Sequence, residues 1–151
     1  MLALAVVLAG CAAGSADPTD ADCGGAPPVP ATLVEDALTV RGASELVLGS
    51  QGGWMITPIL AVDRAVMASD GACVRVAIEV DAGLAGGPIS YQAILPELAG
   101  GDDHAVSDEL PVFLSYDLAE LDGRAATITA LVEDDDVASS CQVAVRLANR
   151  E

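Results

Sequence analysis

Apolar and polar residues alternate with a period of two along much of the chain beyond residue 32. This alternation is typical of a β-strand with one face in a core and the other in water, because successive side chains of a strand point to opposite faces. Four segments show it most clearly, and their apolar positions are Val74, Val76, Ile78 and Val80; Ile89, Tyr91, Ala93 and Leu95; Ala126, Ile128, Ala130 and Val132; and Val143, Val145 and Leu147. Each segment predicts one half-buried strand.

The segment Trp54–Val62 differs from these four because it is apolar at both parities. It predicts a strand that is covered on both sides. Pro58 lies inside the segment and cannot donate to a hydrogen-bond ladder, so it predicts a bulge or an edge position there. Shorter candidate strands cover 37–40, 45–48 and 112–116.

Turn-forming residues separate these segments, at 49–53, 69–71, 83–88, 100–103 and 122–123. The longest helical pattern is a single turn at Asp117–Leu121. About seven to eight short strands divided by such turns predict an all-β fold, an antiparallel β-sandwich.

Composition limits both the core and the partners. The chain has 151 residues, which is room for one domain, and 52% of them are hydrophobic but only 3% aromatic. The core is therefore expected to consist mainly of Val, Leu, Ile and Ala. The 23 acidic residues outnumber the six basic ones, all Arg, and the net charge is −17. Such a surface repels phosphate backbones and anionic headgroups, which argues against nucleic-acid binding and electrostatic membrane docking.

The amino-terminal residues carry a different signal. Residues 2–9 are all apolar, and the run ends in small residues directly before a cysteine, at Leu8-Ala9-Gly10-Cys11. The run is far shorter than the ~20 apolar residues that span a bilayer. An apolar run that ends in small residues is typical of a signal peptide and its cleavage site.

The four residues LAGC resemble the lipobox of bacterial lipoproteins. The resemblance implies cleavage before Cys11 and a lipid on its thiol, so that acyl chains anchor the protein to a membrane of the cell envelope. Residues 1–10 would be the signal peptide, 11–31 a lipidated linker and 32–151 the folded domain. Ala12, which follows the cysteine, implies the outer membrane rather than the inner one.

The linker from residue 12 to 31 is rich in Ala, Gly, Pro and Asp and has no periodic apolar pattern. Such a segment cannot bury enough apolar surface to offset the entropy of ordering it, so it predicts a disordered tether. The last part of the domain, from Leu121 to Leu147, resembles the final hairpin of an immunoglobulin-like or fibronectin-type sandwich. The resemblance implies an Ig-like strand arrangement.

Three cysteines remain if Cys11 is lipidated: Cys23, Cys73 and Cys141. A Cys73–Cys141 disulfide is the favoured pairing, because both residues begin strong strands and the tether gives Cys23 no ordered position. The parities disagree, however, since Cys141 shares the apolar parity of its strand and Cys73 the polar parity of its own. A bridge at the strand ends, or one from Cys23, is the alternative.

Two acidic turns are candidate cation sites. The first spans 100–109, the second joins the last two strands, and their candidate ligands are Asp102, Asp103, Asp108, Asp134, Asp135 and Asp136. Closely spaced carboxylates are the ligands of Ca²⁺, although the residue order of a calcium-binding loop is missing. Acidic turns on an acidic protein are more often solvated loops. The sequence implies no other cofactor.

Trp54 follows two glycines and is the single tryptophan of the chain. It is either a core residue, the usual role of a lone Trp at a strand start, or an exposed platform on which a sugar ring stacks. Catalysis is not indicated, because one histidine and the absence of G-x-S-x-G leave no nucleophile with a base.

These observations favour a non-enzymatic, lipid-anchored envelope protein with a structural or interaction role. Its expected partners are the membrane, through the anchor, and an envelope protein or glycan. One alternative is a calcium- or glycan-binding module that uses the acidic turns or Trp54. A second alternative is a small envelope hydrolase, for which no residue pair stands out.

Overall fold

The structure is a computed structural model, and it describes residues 32–34, 36–67, 72–100, 103–134 and 137–149. Almost all regular structure in these residues is β. The elements are β1 (Thr32–Val34), β2 (Leu38–Arg41), β3 (Glu45–Leu48), β4 (Trp54–Ile56), β5 (Ile59–Asp63), a 3-10 helix (Arg64–Val66), β6 (Ala72–Asp81), β7 (Ile89–Glu97), β8 (Ala99–Gly100), β9 (His104–Val106), β10 (Val112–Leu114), α1 (Leu118–Leu121), β11 (Ala125–Asp134), β12 (Val137–Arg146) and β13 (Ala148–Asn149).

The strands form three sheets around one core. The largest has five strands in the order β1-β12-β11-β6-β7, and the other two have the orders β10-β4-β3-β13 and β2-β5-β9-β8. Neighbouring strands are antiparallel except for β1 beside β12 and β13 beside β3. Ile128 of the large sheet, Ile56 of the second and Leu60 of the third belong to the same buried cluster. The predicted all-β sandwich is confirmed.

The period-two pattern assigns the faces of the large sheet correctly. The apolar positions of β6, from Val74 to Val80, are 0–3% exposed, and those of β11, from Ala126 to Val132, are 0–4% exposed. The one-turn helix predicted near Leu121 is also present. More strands occur in the described residues than the seven or eight predicted, because Trp54–Val62 contains two strands and because the sequence did not predict β1, β8, β9 and β13, which have only two or three residues each. Alternation cannot be recognised over so short a length.

Pro58 divides the apolar segment into two strands of different sheets, whereas the sequence predicted a bulge or an edge position there. The apolar segment Trp54–Val62 is not one strand, because β4 and β5 belong to different sheets. Pro58 lies between them, is fully buried, and its carbonyl accepts a hydrogen bond from the Leu110 N–H at 3.0 Å. The chain therefore crosses from one layer to another at this proline, which explains why both parities are apolar.

Ser107 extends the ladder of β5 after β9 has ended. Its backbone N–H donates to the Leu60 carbonyl at 2.9 Å, and its hydroxyl oxygen accepts from the Leu60 N–H at 2.9 Å. The same hydroxyl donates to the Asp108 carbonyl at 2.7 Å. Ser107 is buried, so this side chain satisfies a backbone donor that has lost contact with water.

Candidate functional site

The solvent-facing side of the large sheet carries a concave feature built from three neighbouring strands. Two adjoining cavities of about 270 and 230 Å³ lie along β11, β6 and β7. Both are lined by Ala77, Gln92 and Leu131, so they form one continuous trough. We call this trough, with its further lining residues Arg75, Glu79, Ile94, Thr129 and Glu133, the outer groove.

The strand register explains why the groove is there. Ala77 of β6 lies opposite Leu131 on one side and opposite Gln92 on the other. Because the alanine side chain is a single methyl group, it leaves a depression between two longer neighbours. Leu131 and Ile94 supply apolar walls, and Ile94 is 37% exposed. Ala77 at the floor and these two side chains at the walls make much of the groove apolar although it faces water.

Charged side chains lie toward the two ends of the groove. Arg75 faces Glu133 across β6 and β11, and Glu79 faces Thr129 one row beyond Ala77. All three charged residues are half-buried, so their interactions are screened less than those of fully solvated groups. Each cavity is below the ~300 Å³ at which small-molecule pockets begin. An open trough of this kind fits a chain segment that lies along the sheet.

Sequence reasoning missed this site, although a signal for it exists. On β6, β7 and β11 the outward positions are mainly polar or charged. Ala77, Ile94 and Leu131 break that polar parity, and they belong to three different strands. Only the register shows that these three exceptions adjoin one another.

The acidic turns do not form a common site in the described residues. Asp103 and Asp108 are exposed, whereas Asp134 is only 4% exposed. Asp134 lines a small void of about 10 Å³ together with Val62 and other apolar residues. Within the described ranges, no group of three or more His, Cys, Asp or Glu side chains could hold a metal ion.

The other three candidate ligands, Asp102, Asp135 and Asp136, lie outside the described residues, as does Cys11. Trp54 is half-buried and packs against the core cluster, opposite Leu114 on β10 and Leu48 on β3. This position corresponds to the core interpretation of the tryptophan.

The Cys73–Cys141 bridge is not present, because Cys141 is a half-buried free thiol. Cys141 lies opposite Ala130 of β11, which lies opposite Ile78 of β6. Cys73 is thus two strands away and five residues further along β6, which is roughly 16 Å along the strand alone. Bridged cysteines have Cα atoms within about 7 Å of each other, so this register excludes the predicted pairing. The inward parity predicted for Cys141 is confirmed, since it packs against the core.

Tyr91 is the titratable group of the described residues whose pKa is shifted most clearly by the fold. It lies on the core-facing side of β7, and burial raises the pKa of its phenol above 10.0, because desolvation disfavours the phenolate. The neutral form is thus favoured by folding. Its contribution to stability is complete below pH 10.0 and is lost as the pH rises through the higher pKa of the folded state.

We therefore expect the alkaline absorbance titration of the native protein to contain a phenolate component with its midpoint above pH 10.0 that Tyr91→Phe lacks. The second tyrosine of the chain is present in both proteins, so the difference between the two curves reports Tyr91 alone. The Phe variant keeps the ring and its packing, so it isolates the hydroxyl. A difference between the two titration curves with its midpoint at or below pH 10.0 would contradict the predicted direction.

Comparisons with protein-family models, with curated protein sequences and with solved structures found no match to this chain. Among the described residues, no helix has the length and apolar character needed to cross a membrane. The class defined by the fold is an all-β sandwich, and the outer groove is the candidate binding site on its surface.

Proposed function

We propose that this chain is a lipid-anchored, non-enzymatic protein of a bacterial cell envelope whose sandwich binds another envelope protein through the outer groove. The anchor part of the proposal is supported by Leu8-Ala9-Gly10-Cys11 and by the apolar run before it. Acyl chains on Cys11 would anchor the domain to a membrane, because each methylene group buried in the bilayer contributes about 0.8 kcal/mol to the free energy of binding. Residues 12–31 would then separate the domain from that surface.

The observation that supports the binding part is the apolar lining of the outer groove. Leu131 and Ile94 lie on a solvent-facing side where polar residues would be expected, and together with Ala77 they form one depression. Apolar residues in a concave surface with charged residues around them are typical of a site where a partner is bound. No other function has an equally specific observation in the described residues.

The shape and charge of the groove indicate the class of ligand. An extended polypeptide segment could lay apolar side chains over Ala77 while its charged side chains reach Glu79, Glu133 or Arg75. The excess of carboxylates in the groove, and the net charge of −17, favour a segment that carries basic residues. Binding would lie on the same face as Gln92 and Thr129, whose side chains can form hydrogen bonds.

Metabolic labelling with palmitate tests the anchor. We expect label in the wild-type chain, in an outer-membrane fraction, and no label in Cys11→Ser, because the thiol is the atom that would carry the lipid. Cys23→Ser is the matched control and should keep the label. Continued labelling of Cys11→Ser would refute the anchor.

Photo-crosslinking in intact cells tests the groove. A photoreactive residue in place of Leu131 should give one discrete crosslinked product. Ala77→Trp, which fills the depression, should abolish that product, while Ala144→Trp, at an exposed position on β12 of the same sheet, should leave it unchanged. A product that survives Ala77→Trp, or is lost equally in both variants, would argue against the groove as the binding surface.

A further inference from the structure

Strand β7 is an open edge of the large sheet. In the part of the chain that the structure describes, β6 is the only strand that pairs with β7; β10 of the second sheet comes close to β7 but does not pair with it. The core-facing residues of β6 are 0–3% exposed, whereas Ile89, Tyr91 and Leu95 on β7 are only half-buried against the same core. Water therefore reaches the apolar row from the edge, and every second residue there directs backbone N–H and C=O groups outward.

Between Pro88 and Pro96 this edge lacks the charged residues, prolines and glycines that usually protect an edge strand from pairing. From Ile89 to Leu95 the strand contains no charged residue, no proline and no glycine, although the chain as a whole has a net charge of −17. Prolines stand at both limits, Pro88 and Pro96, and a proline has no N–H to donate. The prolines thus define a pairing segment of residues 89–95, with Gln92 at its midpoint.

We propose that two copies of this chain pair through β7 in antiparallel orientation about a two-fold axis at Gln92. Antiparallel pairing about this residue is the register that uses the whole segment between the prolines. It places Ile89 opposite Leu95 and Tyr91 opposite Ala93 of the second copy, all on the core-facing parity. The half-exposed apolar rows of the two copies then cover each other, and two five-stranded sheets become one.

The distribution of charge allows a second copy to pair at this edge and predicts how salt changes the affinity of the dimer. Two chains of −17 repel each other, but the paired segments carry no charge, so the repulsion comes from distant parts of the surface. Salt screens such distant charges. A pairing of seven residues falls at the small end of protein interfaces, below about 1,200 Å². We therefore expect a dimer that dissociates on dilution and becomes stronger as salt is added.

Sedimentation equilibrium of the full chain, carrying Cys11→Ser and kept reduced, tests the proposal. The expected result is a reversible monomer–dimer equilibrium. Gln92→Lys should weaken it by roughly fivefold or more, because it puts like charges face to face at the axis. Gln142→Lys on β12 is the matched control, since both glutamines are exposed and the change in net charge is the same. It should alter the dimer dissociation constant by less than about twofold.

A mixing experiment tests the register itself. Gln92→Lys and Gln92→Glu chains should each associate poorly alone, and an equimolar mixture should form a heterodimer, because opposite charges then meet at the axis. Only a pairing that places residue 92 against residue 92 predicts this rescue. A merely structural effect of either substitution would not be repaired by mixing.

Three outcomes would overturn the proposal: a monomer at every concentration and salt level, equal weakening by Gln92→Lys and Gln142→Lys, or growth into open polymers. Polymers would mean that β7 pairs with a different edge of the next copy, such as the part of β12 beyond β1, which does not close into a dimer. Because Gln92 also lines the outer groove, Ala77→Trp separates this proposal from the proposed function: it fills the groove, changes no residue of β7 and should leave the dimer dissociation constant unchanged.

Discussion

Replacing Ile128 by alanine is expected to lower the free energy of unfolding by about 2–5 kcal/mol. Ile128 is 0% exposed and lies on β11, the central strand of the large sheet, opposite Val80 and Val143. It is flanked by paired strands on both sides and by the second layer above, so the surrounding residues cannot collapse into the space that is vacated. The loss therefore includes both the transfer of apolar groups and the cavity that remains.

Urea denaturation monitored through Trp54 measures this loss. Leu131→Ala is the matched control, because Leu131 lies on the same strand but faces the half-exposed outer groove. Its truncation should cost less than about 1.5 kcal/mol, since little enclosed space is created. Equal losses would contradict the difference in burial between the two faces of β11, and a larger loss in Leu131→Ala would mean that the faces are assigned the wrong way round.

Replacing Ser107 by alanine is expected to cost about 1–3 kcal/mol, because it leaves a buried donor without an acceptor. The N–H of Leu60 donates to the Ser107 hydroxyl oxygen at 2.9 Å, and Leu60 is 1% exposed. Alanine removes that oxygen without giving water access to the donor. The change removes a single oxygen atom, so its cost reflects hydrogen bonding rather than lost packing.

Ser115→Ala provides the comparison, because it removes the same oxygen atom from an exposed serine. Its effect on the free energy of unfolding should stay within about 0.5 kcal/mol. Amide hydrogen exchange at Leu60 gives a second readout and should accelerate in Ser107→Ala. Unchanged exchange at Leu60 together with unchanged stability would show that the serine hydroxyl does not satisfy that donor.

Parts of the fold could be predicted because they depend on local pattern alone. The inward face of β6, from Val74 to Val80, follows from parity, since a side chain cannot change face without shifting the strand by one residue. The split at Pro58 could not be predicted, because a proline in an apolar run is compatible with a bulge, an edge or a change of sheet. Which of these occurs depends on the layers that the chain has to cover.

The sequence allows single residues of the candidate site to be recognised, but not that they lie next to one another. Ala77, Ile94 and Leu131 each interrupt a polar face, which can be read from the sequence, but a single interruption of this kind is common on protein surfaces. Their meaning comes from being neighbours, and they are separated by up to 54 residues in the chain, from Ala77 to Leu131. The acidic turns illustrate the reverse case: their composition suggested a cation site, but Asp134 is buried beside a small void lined mainly by apolar residues.

The sequence by itself determined that the chain is all-β, which faces of its long strands enter the core, and that its core is aliphatic. These properties follow from the two-residue period of a strand and from composition, and neither requires knowledge of distant contacts. Only the tertiary structure decided the strand order, in which β11 lies between β12 and β6. This order separates Cys73 from Cys141, brings the residues of the outer groove together and leaves β7 at an edge. Strand order depends on pairing between segments far apart in the chain, and such pairing is chosen by the packing of the whole core.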